Sequence, residues 1–181
     1  MKSFTYHLLS IAELQPALIN CHTGFDDYTT SENLAIIETA TRIATEVGIP
    51  VCHEIHRGRF TYSPYNMETY LKEFPDLSFT ADFSHWCNVS ESMMQHPRQQ
   101  HIMNNVIEHC AYIHARVGFE QGPQVNHPAS PEWSNHVDIF TGWWKNIYLN
   151  QKNKGSKTLY VTPEFGPAPY MPTVPFANKP V

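Results

Sequence analysis

Four residues able to hold a hard cation, Glu54, Asp82, His114 and Glu164, each close a short apolar run and are followed by a turn. The runs are PVCHEIHRG (Pro50–Gly58), LSFTADFSHW (Leu77–Trp86), AYIHARVG (Ala111–Gly118) and TLYVTPEFGP (Thr158–Pro167). A fifth, PALINCHTG (Pro16–Gly24), precedes them and ends on His22. Ligands delivered from the ends of successive strands are how a parallel α/β barrel builds a site at one rim. Three carboxylates converging there repel one another unless a divalent cation neutralises them. Two or three carboxylates with an imidazole suit Mn²⁺, Mg²⁺, Co²⁺ or Zn²⁺.

Strand alternation sorts the neighbours of these residues. Cys52, Glu54 and His56 share one face of their run, and Val51, His53 and Ile55 take the other, which makes His53 structural. Tyr112, His114 and Arg116 share a face, as do Tyr160, Thr162 and Glu164. His85 follows Asp82 by three residues, past the regular strand, and is placed to swing back to the same rim. His22, His56, His85 and Arg116 are therefore the candidate substrate contacts, with ordinary structural roles an equal reading for His22 and His85. Arg57 and Arg59 stand near the same mouth, where rim salt bridges are an equal reading. His7, His96, His101, His109, His127 and His136 fall on helices or loops and are read as solvated. The Trp143–Trp144 and Met93–Met94 pairs are read as packing. No Gly-rich phosphate loop, nucleophile elbow or redox dithiol occurs in the chain.

The segments between the runs have helical periodicity. Ser31–Val47 carries Ile36, Ile37, Ala40, Ile43, Ala44 and Val47 on one stripe, with Ser31 as N-cap and Gly48 and Pro50 as the stop. Further helices are expected over Asn66–Phe74 and Pro97–His109, and from Ser130 onward through Tyr148. The opening residues look like the tail of another. Strand and helix alternate, which argues for a parallel sheet with crossover helices. Five units are too few for a closed eight-stranded barrel of about 250 residues. Either an open α/β sheet or a barrel lacking pieces at both ends fits.

At 181 residues the chain reads as one domain, residues 1–181, with a sizeable core. A formal net charge of −5 argues against a nucleic-acid partner. Cys21, Cys52, Cys87 and Cys110 form no CxxC pair and read as buried thiols in a reducing, cytoplasmic compartment. The first apolar run, in MKSFTYHLLSIAEL, is too short and polar for a leader or a membrane span.

With these residues in view, the chain resembles the xylose isomerase-like TIM barrels, in particular the sugar phosphate isomerase/epimerase group. INCHTG, HEIHRGR, TADFSHW, IHARVG and TPEFGP look like the third to seventh strands of that barrel with their turns. The resemblance implies an incomplete (β/α)8 TIM barrel of about five parallel strands with outer helices, lacking the first strands and the closing helix. It implies that Glu54, Asp82, His114 and Glu164 bind a divalent metal ion. It implies a metal-dependent isomerase or epimerase of a small sugar or polyhydroxy carbonyl substrate. Proton transfer by Glu54 and Glu164 through a metal-stabilised enediolate would be the route, with hydride shift as a variant. Open barrel edges would invite a homo-oligomer. Two alternatives stand beside this reading: a phosphodiester hydrolase of the endonuclease IV type, for which no Asp-x-His element follows the His114 run, and a metal-binding barrel fragment without activity.

Overall fold

The computed structural model describes residues 2–177 and Lys179. The elements run α1 (Lys2–Ala12), β1 (Ile19–Cys21), α2 (Thr30–Val47), β2 (Val51–Glu54), α3 (Met67–Glu73), β3 (Ser78–Ala81), α4 (Ser84–Val89), α5 (Pro97–Ile107), β4 (Cys110–Ala115), α6 (Ser134–Asn153) and β5 (Tyr160–Pro163). The strands form one sheet in the order β1-β2-β3-β4-β5, every neighbouring pair parallel. Strands taken in sequence order and joined by helices curl into a half-barrel, an incomplete TIM-like barrel. Among the described residues, no helix is long and apolar enough to cross a membrane.

The two faces of the sheet have opposite chemistry, and this sets the site. On the convex side Phe79, Ala81 and Ile113 are buried under the helices with Ile37, Met103, Val106, Phe140 and Ile147. Trp86, Phe60, Phe79, Phe83 and Phe140 are among the largest fully buried side chains, each contributing about 1.5–3 kcal/mol by leaving water. The second cluster, Leu8, Ala12, Ile19, Ala40, Ile43 and Val51, seats α1 and α2 on β1 and β2. The concave side is polar. Thr80 Oγ1 donates to Asn20 Oδ1 at 2.7 Å, and Asn20 Nδ2 donates to Glu54 Oε2 at 2.6 Å. Tyr112 and Thr162 pair through their hydroxyls.

Several boundaries differ from the sequence reading. The N-cap of α2 is Thr29, not Ser31: its hydroxyl accepts from Glu32 N while Glu32 returns a bond to Thr29 N. The helix expected from Asn66 begins at Met67, after a 3₁₀ turn over Pro64–Asn66. The one from Ser130 likewise opens with a turn over Pro131–Trp133. Two histidines read as solvated are half-buried. His109 Nδ1 lies 3.2 Å from the Leu77 carbonyl, and His136 Nε2 lies 3.3 Å from Glu120. The Met and Trp pairs pack as expected, with Met93, Met94 and Trp143 in the core.

Candidate metal centre

β2 ends on Glu54 because Thr61 fastens the turn behind it. Thr61 Oγ1 donates to the Glu54 carbonyl and accepts from His56 N, while Trp86 Nε1 donates to the Thr61 carbonyl. Asp82 follows β3 and is fully buried, its Oδ1 accepting from both the backbone and hydroxyl of Ser84. Ser84 starts α4, a short helix not among those expected from the sequence, and α4 carries His85. His85 is thus not a mobile rim residue but a fully buried one. His114 lies near the end of β4, and Glu164 follows β5 directly.

These ends meet. His114 Nδ1 lies 3.7 Å from Glu54 Oε1 and 3.3 Å from Glu164 Oε2. Arg116 lies between the other carboxylates, with Nε 3.3 Å from Asp82 Oδ2 and Nη2 2.7 Å from Glu164 Oε2. His22 Nε2 approaches Glu54 Oε1 at 3.1 Å, and His85 Nε2 stands 3.4 Å from Asp82 Oδ2. His22, His56 and His85 form a row of imidazoles, with ring centres 4.5 Å and then 4.0 Å apart. The four expected ligands and His22, His56, His85 and Arg116 lie around this mouth, while Arg59 rests on the Phe25 ring instead. The four expected ligands nevertheless do not form a single foursome. Asp82, His114 and Glu164 make one group, Glu54, Asp82 and His85 a second, and His22, Glu54 and His56 a third. Within each group, one donor atom per residue lies within 4.8 Å of the others.

The donor set fits a divalent cation. Ligand atoms around a tetrahedral ion with bonds near 2.1 Å stand about 3.4 Å apart, close to the 3.3 Å and 3.7 Å separations from His114 to Glu164 and Glu54. The buried atoms without a directed hydrogen bond include Asp82 Oδ2, His114 Nδ1 and Glu164 Oε2, although all three are in ion-pair contact. Buried polar atoms that lack partners are rare and costly, and a bound ion would satisfy these.

Burial and charge set the protonation of the mouth. Burial pushes the Asp82 carboxyl up to about 7; Arg116 and Ser84 offset this only in part, and Glu164 and Glu54 add to it. For Glu164, burial is outweighed by His114 and Arg116, which hold it down at about 2. Burial also opposes ionisation of Glu54, yet bonds from His22 and Asn20 and the nearby His114 keep it below the usual carboxylate range. His114 is raised by Glu164, Glu54 and Asp82 against its burial. His85 is pushed down to about 2, first by burial and then by His56, Arg116 and Arg57, so its ring is neutral. His53 is neutral too, held at about 4 by burial on the other face, where its Nδ1 lies 2.7 Å from the Thr23 hydroxyl.

Sequence reasoning missed three participants. Asn20 steadies Glu54, and Ser84 steadies Asp82. Tyr170, from the proline-rich segment after β5, lies over the mouth, its ring 4.1 Å from the Arg116 guanidinium and its hydroxyl 3.5 Å from His56 Nε2. Only the alternation around Asn20 could have flagged any of these. No family model matches the chain, and no curated protein or solved structure is significantly similar to it.

Proposed function

We propose that this chain is a divalent-metal-dependent isomerase or epimerase of a small polyhydroxy carbonyl compound, of the xylose isomerase-like kind its five motifs resemble. The observation that supports this is that Asp82, His114 and Glu164 offer donor atoms within 4.8 Å of one another, with Glu54 Oε1 3.7 Å from His114 Nδ1, from four successive parallel strands at one mouth. These residues would hold the ion, which when bound supplies Lewis-acid polarisation of a carbonyl. Glu54 and Glu164 are ionised at neutral pH and flank His114. One accepts the proton from the carbon next to the carbonyl, and the electron pair of that C–H bond moves into the carbonyl carbon–oxygen system. Delivery of a proton to the opposite face of that carbon by the other glutamate, in its protonated form, gives the epimer; delivery to the old carbonyl carbon, with the neighbouring hydroxyl proton passing to the old carbonyl oxygen, gives the isomer. The low value of Glu164 depends partly on protonated His114. His85 is neutral, with Nε2 3.4 Å from Asp82 Oδ2 and Nδ1 without a hydrogen-bond partner, so Nδ1 is the ring atom that could meet a substrate hydroxyl. Arg116 donates only, and orients oxygens from the other side.

Solvent deuterium exchange tests this reading before the substrate is known. Metal-loaded protein should carry deuterium into the carbon beside the carbonyl of at least one ketose. Glu54→Gln and Glu164→Gln should each lower that exchange by at least about 10²-fold at saturating metal, because an amide oxygen can still ligate but takes up no proton. A folded, metal-loaded sample that exchanges no ketose would overturn the proposal.

Phosphodiester hydrolysis is the second reading, and the three overlapping donor groups favour it because they offer seats for more than one ion. One bound ion per chain supports the isomerase and three zinc ions support the hydrolase. The net charge of −5 speaks against a polyanionic substrate.

A further inference from the structure

Glu164 is the one expected ligand that stands on an edge of the sheet. β5 pairs with β4 alone, and its residues from Tyr160 to Pro163 are largely exposed. The ladder ends at Glu164, whose N donates to the Ala115 carbonyl at 3.3 Å. Two residues on, the chain is caught again. Gln124, from the loop between β4 and α6, donates from Nε2 to the Gly166 carbonyl at 3.0 Å and accepts at Oε1 from Gly166 N at 3.1 Å. One side-chain amide thus takes both backbone bonds that a neighbouring strand would otherwise take. Its own footing is firm. Gln124 and Val125 are buried, and Val125 N donates to the Val117 carbonyl at 2.9 Å. Phe119 and Gly122 close the loop by exchanging backbone bonds at 2.8 Å and 3.2 Å, and a Cβ on Gly122 would lie 2.7 Å from the Phe119 ring.

We propose that Gln124 is a positioning residue for Glu164: its amide clamp on Gly166 fixes the backbone from which Glu164 reaches the metal. This rests on the functional reading above, in which Glu164 is a ligand. The Glu164 side chain is 29% exposed, so packing does not hold it as it holds the fully buried Asp82. Its contacts with His114 Nδ1 at 3.3 Å and Arg116 Nη2 at 2.7 Å require the backbone to stay where the Ala115 carbonyl and Gln124 bracket it. The loop that carries Gln124 leaves β4 just past His114 and Arg116. The strand that supplies the imidazole therefore also sets its distance to the carboxylate. Only an amide presents a donor and an acceptor side by side for this task. Partners that orient a ligand in this way carry about 10–100-fold of metal affinity.

Calorimetric zinc titration and a crystal structure of Gln124→Met test this. Methionine has much the same length and makes neither bond. Zinc should bind Gln124→Met about 10-fold or more weakly than the unaltered protein. Gln124→Glu keeps the acceptor for Gly166 N and should fall between the two, a partial rescue that mere filling of the loop does not give. In crystals of Gln124→Met, Glu164 should leave His114 and Arg116 while Asp82 stays bonded to Ser84. Unchanged zinc affinity overturns the role, and so does a weakened affinity with Glu164 still in place. Should Gln124→Met not fold, Gln124→Glu is judged by the same two measurements. Failure of the unaltered protein to bind zinc would contradict the functional reading, whereas the position of Glu164 in the variant still decides the part played by Gln124.

Discussion

Asp82 carries the largest electrostatic tension in the mouth. It is fully buried, close to two other carboxylates, and its carboxyl is pushed up to about 7 from a usual 3.8. The sign of the consequence is fixed by linkage. A folded value above the unfolded one means that folding favours the protonated form, so stability from this group is present at low pH and is lost as pH rises through 7. Without metal at pH 8, Asp82 therefore destabilises the fold by an amount on the order of a few kcal/mol, at about 1.4 kcal/mol per unit. Asp82→Asn keeps an oxygen for Ser84 and removes the charge. It should raise the melting temperature of chelator-treated protein at pH 8 and reduce the further rise that divalent metal gives the unaltered chain, with part of that rise recovered in excess ion because the amide oxygen still ligates. For a site at 100 times its dissociation constant that rise corresponds to about 2.7 kcal/mol. Metal affinity of the unaltered chain should also climb from pH 6 to 8, because the ion displaces a proton from Asp82. Thermal melts with and without chelator check the first expectation and calorimetry the second. An affinity flat over that range would contradict the assignment of Asp82 as a ligand.

Short elements, not the long helices, set the precision of the site. The start of α4 is pressed against the end of β4: a Cβ on Gly118 would lie 2.7 Å from Ser84 Cβ and 3.0 Å from its Cα. Ser84 is the residue that holds Asp82 Oδ1. Gly118→Ala must push α4 outward, at a cost of about 1–3 kcal/mol. It should also weaken metal binding although it touches no ligand. Gly142→Ala, in open space on α6, is the control for a glycine change as such. Unaltered metal affinity in Gly118→Ala would show that Ser84 does not position Asp82. The same two elements mark the limit of what the sequence discloses. Glu54, Asp82, His114 and Glu164 were legible because each ends a β-branched or aromatic run, and alternation assigned a face to Glu54, His114 and Glu164. The helix α4 was not legible. It has six residues, no side-chain N-cap, and four of them, Ser84 through Cys87, buried on all sides, so it lacks any periodicity. Without it, His85 reads as a residue past the strand that swings back to the rim, where the structure buries it fully. The choice of Thr29 over Ser31 was recoverable in principle, since Glu32 lies three residues after Thr29 and completes its capping box.

At the scale of the whole molecule, sheet order assembles the site. A parallel sheet in sequence order points all five strand ends the same way, which brings residues more than a hundred positions apart to one mouth. Its concave face is lined by Asn20, Glu54, Thr80, Tyr112 and Thr162, and β1 and β5 are its edges. This architecture was legible in the regular alternation of apolar runs and helical stripes. The covering of the mouth by Tyr170 was not, because the segment after Gly166 has neither periodicity nor motif, and its contacts with Arg116 and Arg57 exist only in three dimensions. The central claim is that this mouth holds a divalent ion among carboxylates from three strand ends and an imidazole from a fourth. Anomalous diffraction from crystals grown with zinc, recorded at the zinc edge, tests it most directly. The account predicts a peak within about 2.0–2.2 Å of oxygens of Glu54, Asp82 and Glu164 and of a ring nitrogen of His114. Zinc found only on surface histidines, with no peak in the mouth at saturating metal, would contradict it.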